Sequence, residues 1–332
     1  MEGASFVDGK LGKNACPAFA FHSFVLRKEA LPFLFSIILF NDLHLFFYLE
    51  VGVFRIPAAI LAAFLLFFVV LRLLEPRFIF YPLKYPKGDW ETQRYAFEIQ
   101  DHFFETADSV RLHAWYLPRQ DAIATILLFH GNAGNLSHRL DLLAKFRENL
   151  PVNIFIFDYR GYGRSEGKPS EAGLYRDGEA AYRYLTQKLS VSPDKLILFG
   201  RSLGGAVAVD LAQHEKAAGL ILESTFSTGK DMARRMFGAI PVWWIMKIKL
   251  DSAGKIQNVK MPKLFLHGTR DELVPIELGK KLFALAPPPK KFVAIPGAKH
   301  NDIYETGGET YYQAIAEFIL ECISPKANLA AN

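Results

Sequence analysis

ILFGRSLGGAVA, residues 197–208, sets a serine between glycines two positions away on either side, with a short apolar run before it and an alanine-rich run after it. The first run reads as a buried strand and the second as a helix, so Ser202 stands at a strand-to-helix bend. A residue at so sharp a bend is held in a strained backbone conformation, and Gly200 and Gly204 must lack side chains to avoid collision. The bend pushes the hydroxyl clear of the sheet edge, near the positive end of the following helix, and aims the Leu203 N–H at any oxyanion that forms. Gly-x-Ser-x-Gly arises by chance in about one chain in ten. Its position after a strand is what gives it weight.

The same rhythm continues on both sides. Short apolar runs at residues 126–129, 152–157, 196–199, 220–222, 264–266 and 292–295 have the character of strands buried on both faces. Amphipathic stretches at 136–150, 173–189, 203–214, 276–286 and 310–323 alternate with most of them. Strand, helix, strand in this order predicts a mostly parallel central sheet flanked by helices. Ahead of it, YAFEIQ (residues 95–100) and VRLHAWYL (110–117) alternate as antiparallel strands, with TADS (106–109) as turn material between them. The rhythm breaks at residues 228–260, an insertion longer than an ordinary connection and, by position, a short lid.

A serine hydroxyl is a poor nucleophile until a base takes its proton, so a histidine oriented by a carboxylate is required. At this kind of bend the partners follow in the order Ser, Asp or Glu, His, each after a strand. The run at 264–266 leads into HGTRDELVP and the run at 292–295 into PGAKHNDI, which supply Asp271 and His300. Glu272 and Glu223 are the alternative acids, although Glu223 is better suited to hydrogen-bonding the loop that follows it. His267 lies too close to its own strand's end to serve as the base. After the third strand comes LLFHGNAGN (127–135), whose glycines let the backbone approach a substrate oxygen; the Asn132 N–H is the second oxyanion donor, with Ala133 next. His130 is read as a brace for that loop. The glycine-rich DYRGYGRSEG (158–167) is not a phosphate loop, because it lacks Gly-Lys-Ser/Thr and opens no helix with Gly-x-Gly-x-x-Gly.

Composition sets the remaining limits. A hydrophobic content of 51% supports a substantial core. The net charge of +5 is spread among 34 acidic residues with no basic block longer than a pair, which argues against a nucleic-acid partner. Cys16 and Cys322 lie near opposite ends with no Cys-x-x-Cys, so neither a disulfide scaffold nor a cysteine metal site is expected. Residues 56–74, IPAAILAAFLLFFVVLRLL, are apolar except for Arg72 and would form a helix roughly 28 Å long, close to the thickness of a bilayer's hydrocarbon core. No small-x-small cleavage site follows, so this reads as an uncleaved anchor rather than a signal peptide. Residues 31–54 form a weaker second span, interrupted by Asn41, Asp42 and His44. If both cross, the N-terminus and the main domain share the cytoplasmic side, the slightly favoured placement; if one crosses, orientation stays open. Residues 1–30 show no period and read as a loose tail or a start assigned too early. The expected organisation is an extension (1–50), an anchor (51–76), a catalytic domain (77–325, with the lid at 228–260) and a tail (326–332).

With Ser202, Asp271, His300, HGNAGN and DYRGYGRSEG in place, the chain resembles the α/β-hydrolases over residues 78–323. More narrowly it resembles membrane-anchored serine hydrolases with a serine aminopeptidase-like domain, whose relatives include protein depalmitoylases. The resemblance implies an α/β-hydrolase fold, with Ser202 as nucleophile, His300 as general base and acid, Asp271 as its orienter, and Leu203 and Asn132 as oxyanion donors, with no cofactor and no metal. Residues before Val51 have no counterpart in that pattern. Phe237, Ile240, Trp243, Trp244 and Met246 make the insertion an apolar surface, which either lines an acyl pocket, touches the bilayer or covers the sheet edge. Exopeptidases of the superfamily generally carry a large, carboxylate-bearing cap, whereas this insertion holds only Asp231 and Asp251 as acids. A serine nucleophile also argues against the epoxide and haloalkane hydrolases, which need a carboxylate there. The expected protein is a membrane-anchored serine hydrolase cleaving acyl esters or thioesters, the alternatives being a peptidase or amidase on the same residues and a non-catalytic membrane scaffold.

Overall fold

The structure, a computed structural model, describes residues 57–240 and 242–324. The tail at 1–30, the weaker span at 31–54 and the C-terminal tail at 326–332 lie outside the described residues. Packing divides the chain into two units, Met1–Phe67 and Phe68–Asn332. Helix α1 (Pro57–Ile79) is long and apolar enough to cross a membrane, and its hydrophobic window is not buried within the protein. It runs on past the apolar stretch, so the boundary expected between residues 76 and 77 falls inside a helix.

The second unit is built on one sheet of eight strands: β1 (Gln100–Glu105), β2 (Arg111–Leu117), β3 (Ala124–Phe129), β4 (Val152–Phe157), β5 (Leu196–Arg201), β6 (Gly219–Glu223), β7 (Lys263–Gly268) and β8 (Lys290–Ile295). Their spatial order is β1-β2-β4-β3-β5-β6-β7-β8. β2 runs antiparallel to both neighbours and every other pairing is parallel. This is the architecture that the resemblance implied. Strand alternation sends Leu127, Phe129, Phe155, Phe157, Leu198 and Leu222 into one core and Ile126, Leu128, Ile154, Ile156, Phe199 and Ile221 into another. Helices α3 (Glu171–Arg183), α4 (Leu203–Ala212) and α7 (Ile276–Leu285) cover the first face, α2 (Leu140–Asn149) and α9 (Gly308–Ile323) the second, the short α8 (Ile303–Thr306) leading into α9. Each fully buried Leu or Phe contributes about 1.5–3 kcal/mol over its exposed state, so both faces share in holding the sheet.

The first strand departs from expectation. YAFEIQ is not the strand; QDHFFE is, pairing Glu105 with Arg111 and Gln100 with Tyr116. The turn at TADS decides this: Thr106 N–H donates to the Val110 carbonyl and Ser109 N–H to the Thr106 carbonyl, so the residues directly before Thr106 must pair. The single helix expected over 173–189 also gives way, to a π-helical turn at Tyr184–Lys188.

The insertion between β6 and β7 contains α5 (Gly229–Phe237), N-capped by Thr228, and the short α6 (Ser252–Lys255), N-capped by Asp251. Of its apolar residues, Phe237, Ile240 and Trp244 are exposed, together with Met236, while Trp243 and Met246 are half-buried. Its return segment, residues 247–250, is fastened in an unusual way. The Lys247 and Ile248 N–H groups donate to the Glu75 carboxylate near the end of α1, at 2.8 Å each, and those of Lys249 and Leu250 donate to Glu171 at 2.7 and 2.8 Å. Two carboxylates thus do what a neighbouring strand's carbonyls would do. Glu75→Ala leaves the buried Ile248 N–H without its acceptor, a loss of about 1–3 kcal/mol concentrated in the insertion. The expected result, read by hydrogen exchange on the full chain, is faster exchange at residues 247 and 248 with β3 and β5 unchanged; equal exchange at those two amides would contradict it.

Candidate active site

Ser202 occupies the bend between β5 and α4 with φ 52° and ψ −117°, a conformation that costs a non-glycine residue on the order of 1–3 kcal/mol. Its own backbone bonds hold it there. The Ser202 N–H donates to the Glu223 carbonyl at 2.9 Å, and its carbonyl accepts from the Thr225 hydroxyl at 2.8 Å. The flanking glycines are required by contact: a Cβ on Gly204 would lie 2.0 Å from the Phe129 carbonyl oxygen, and one on Gly200 would lie 2.6 Å from the Gly205 Cα.

The three side chains singled out from the sequence come together at the carboxyl ends of β5, β7 and β8, and all are buried. His300 Nε2 is 3.1 Å from Ser202 Oγ, and His300 Nδ1 is 2.8 Å from Asp271 Oδ2. Asp271 is in turn fixed by the N–H groups of Leu273 and Val274, which donate to Oδ1 at 3.1 and 2.8 Å. Although burial alone would raise the Asp271 carboxyl, bonds from His267, His300 and the Val274 N–H outweigh it and hold the group well below the usual carboxylate range. It is therefore ionised at neutral pH and accepts a hydrogen bond from Nδ1–H, leaving Nε2 to accept one from the serine hydroxyl. His267 Nε2 lies 3.5 Å from Asp271 Oδ2 and is shared with the Val274 carbonyl, 2.8 Å away. Glu272 is exposed at the rim.

Leu203 is the first residue of α4, where N–H groups lack intrahelical acceptors. The loop after β3 passes beside the nucleophile, since a Cβ on Gly131 would lie 3.7 Å from Ser202 Cβ. Asn132 uses its side chain to brace this loop: Oδ1 accepts from the Tyr81 N–H at 3.2 Å and the Tyr162 hydroxyl at 3.0 Å, and Nδ2 donates to the Ile79 carbonyl at 2.5 Å. His130 braces it as well, through the Gly131 carbonyl at 2.7 Å. In DYRGYGRSEG, Gly163 has φ 43° and a Cβ there would collide with the Asp158 carboxylate. That loop braces the one after β3: the Tyr159 hydroxyl donates to the His130 carbonyl and the Tyr162 hydroxyl to Asn132 Oδ1, both at 3.0 Å. Beside His300 an open cleft of about 480 Å³ is bounded by Glu272, Leu273, Lys299, Asn301 and Asp302.

One expectation is corrected. The Glu223 carboxylate does not bond the loop that follows it; it takes the Tyr311 hydroxyl from α9 and lies 3.0 Å from Arg201 Nε. Arg201 was not singled out, and its place beside the nucleophile is the one signal in the sequence that marks it. Among the described residues no cluster of His, Cys, Asp and Glu is arranged to hold a metal ion.

Comparison with known proteins bears on the family and the fold. Residues 120–255 match the family model described as serine aminopeptidase, S33. The chain is 37% identical over 255 residues to protein bem46 of Schizosaccharomyces pombe, covering 73% of this chain and 84% of that one. It is 36% identical over 241 residues to the α/β-hydrolase domain-containing protein WAV2 of Arabidopsis thaliana, covering 66% and 78%. Among solved structures, an esterase of Pyrococcus furiosus superposes with a TM-score of 0.61 at 18% identity, over 74% of this chain and 98% of its own.

Proposed function

Because the chain belongs to the α/β-hydrolase family, we propose that it is a membrane-anchored serine hydrolase cleaving carboxylic esters or thioesters through an acyl-enzyme. The observation that carries this reading is His300, placed between Asp271 and Ser202 at 2.8 and 3.1 Å. Ser202 Oγ attacks the acyl carbon while His300 Nε2 takes its proton, and Asp271 holds the imidazole in the required tautomer. The N–H groups of Leu203 and Asn132 stabilise the tetrahedral oxyanion, each worth about 3 kcal/mol in the transition state. Collapse returns the proton from His300 to the departing alcohol or thiol. A water then attacks the acyl-serine, His300 again taking the proton, and as the bond to Oγ breaks His300 returns that proton to Ser202 and the carboxylic acid leaves.

An exopeptidase on the same residues is the second reading, favoured by the description of the matching family model. Both acids of the insertion are already committed, which counts against it. Asp231 is bonded to Lys281 at 2.7 Å and Ser227 at 2.5 Å, and Asp251 caps α6, so neither is spare to hold a substrate ammonium. Anchoring rests on the length and apolar surface of α1. The exposed Phe237, Ile240 and Trp244 suit contact with lipid.

The test is labelling of the full chain by a fluorophosphonate, followed by turnover of an acyl ester against an aminoacyl anilide. Labelling that disappears in Ser202→Ala, with ester turnover far above anilide turnover and protein retained in membranes after carbonate washing, is the expected outcome. An unlabelled wild type would favour the scaffold, and faster anilide cleavage the peptidase.

A further inference from the structure

Arg201 reaches past the nucleophile to the loop that carries the base. Its Nη2 donates to the His300 carbonyl at 3.0 Å and to Asn301 Oδ1 at 3.4 Å. Its Nε lies 3.0 Å from Glu223 Oε1, a charge contact rather than an aligned hydrogen bond. Glu223 is fully buried, receives the Tyr311 hydroxyl on its other oxygen, and offers its main-chain carbonyl to the Ser202 N–H. The backbones of nucleophile and base therefore hang on one buried ion pair. Desolvation cancels much of the attraction within such a pair, so net stability is a poor reason for its presence.

From this juxtaposition we infer that Arg201 and Glu223 are positioning residues, which set the separation of Ser202 from His300 and balance the charge around the imidazole. The inference rests on the reading of His300 as the base. The ring must be neutral before it takes the serine proton and is cationic afterwards. Together the guanidinium and the carboxylate nearly cancel at the ring; alone, either charge acts on it through a poorly screening interior. Glu223→Gln leaves the guanidinium unbalanced, disfavours the imidazolium, and moves the acid limb of the kcat/KM profile to lower pH. Arg201→Met leaves the carboxylate unbalanced and moves the limb the other way. At an effective dielectric near 20, a unit charge about 10 Å from a titrating group shifts it by about one pH unit, which sets the scale of the expected displacement.

Other charged and titratable groups face the same region and are untouched by these substitutions. Asp271 bonds the ring directly with His267 behind it, and Glu272, Lys299 and Asp302 edge the cleft. Arg139 and Tyr304 interact with Arg201; burial first, and then Arg201, push the Arg139 guanidinium down to about 10.

The experiment measures kcat/KM against pH on a soluble aryl ester for the full-length wild type, Glu223→Gln, Arg201→Met and the double variant. Opposite shifts in the two single variants are expected, with the double variant's limb back near wild type and kcat lower throughout. A purely structural brace lowers activity without moving either limb, and two immobile limbs in folded variants overturn the inference. Should Arg201→Met not fold, Arg201→Lys provides the counterpart: it keeps the charge and loses the fork, so kcat falls and the limb stays. A displaced limb there would equally overturn the inference. A wild type that neither labels nor turns over ester removes the parent reading, whereas an active wild type with immobile limbs removes only this one.

Discussion

Ser202→Ala, His300→Ala and the variant carrying both are each expected to lose on the order of 10⁶-fold in kcat on an aryl ester. The three losses should be nearly equal, because the two groups act as a unit: a hydroxyl without an acceptor for its proton is as inert as no hydroxyl, and an imidazole without the hydroxyl has nothing to activate. Ser202 Oγ bonds His300 Nε2, while the strained backbone is held by the Glu223 carbonyl and the Thr225 hydroxyl. The substitution therefore spares what keeps the bend folded, and thermal unfolding should barely move. Asp271→Asn belongs in the same series with a loss of about 10⁴-fold, since an amide that donates toward Nδ1 imposes the wrong tautomer. Multiplicative losses in the double variant would mean that the two residues work independently, and the proposed chemistry would be wrong.

The second large effect is on folding. Gly204→Ala puts a Cβ 2.0 Å from the Phe129 carbonyl oxygen and 2.5 Å from its carbon, both backbone atoms of β3. Neither can yield without shearing the pairing of β3 with β5, which carries the Gly131 loop on one strand and Ser202 on the other. The expected cost exceeds about 3 kcal/mol, enough to lower Tm by roughly 10 °C in a domain of this size or to prevent accumulation. Gly297→Ala is the control: φ is +78° there, and a Cβ meets nothing within 4 Å. It should cost only the left-handed backbone penalty, about 1–2 kcal/mol. Equal melting temperatures for the two variants would show that the bend tolerates a side chain after all.

The parallel strands were legible because burial on both faces leaves continuous apolar runs, and 152–157 was read to the residue. β1 misled because its exposure alternates at an edge of the sheet, where YAFEIQ and QDHFFE have the same period; the turn, not the pattern, sets the register. Ser202, Asp271 and His300 were legible from chain order, since each follows a recognisable strand. The pairing of Glu223 with Tyr311 spans 88 positions, and that of Glu75 with Ile248 spans 173. No local spacing announces such contacts, because they depend on which helix happens to pack against which loop.

The fastening of residues 247 and 248 to Glu75 has a practical consequence for anyone wanting the second unit without the apolar turns of α1. Trimming the chain at the end of the greasy helix would remove the acceptor together with the grease, and the segment at 247 and 248 would come loose at one edge. A shortened version should begin upstream of Arg72, with the outward-facing leucines and valines of the retained turns exchanged for polar residues and the glutamate left in place.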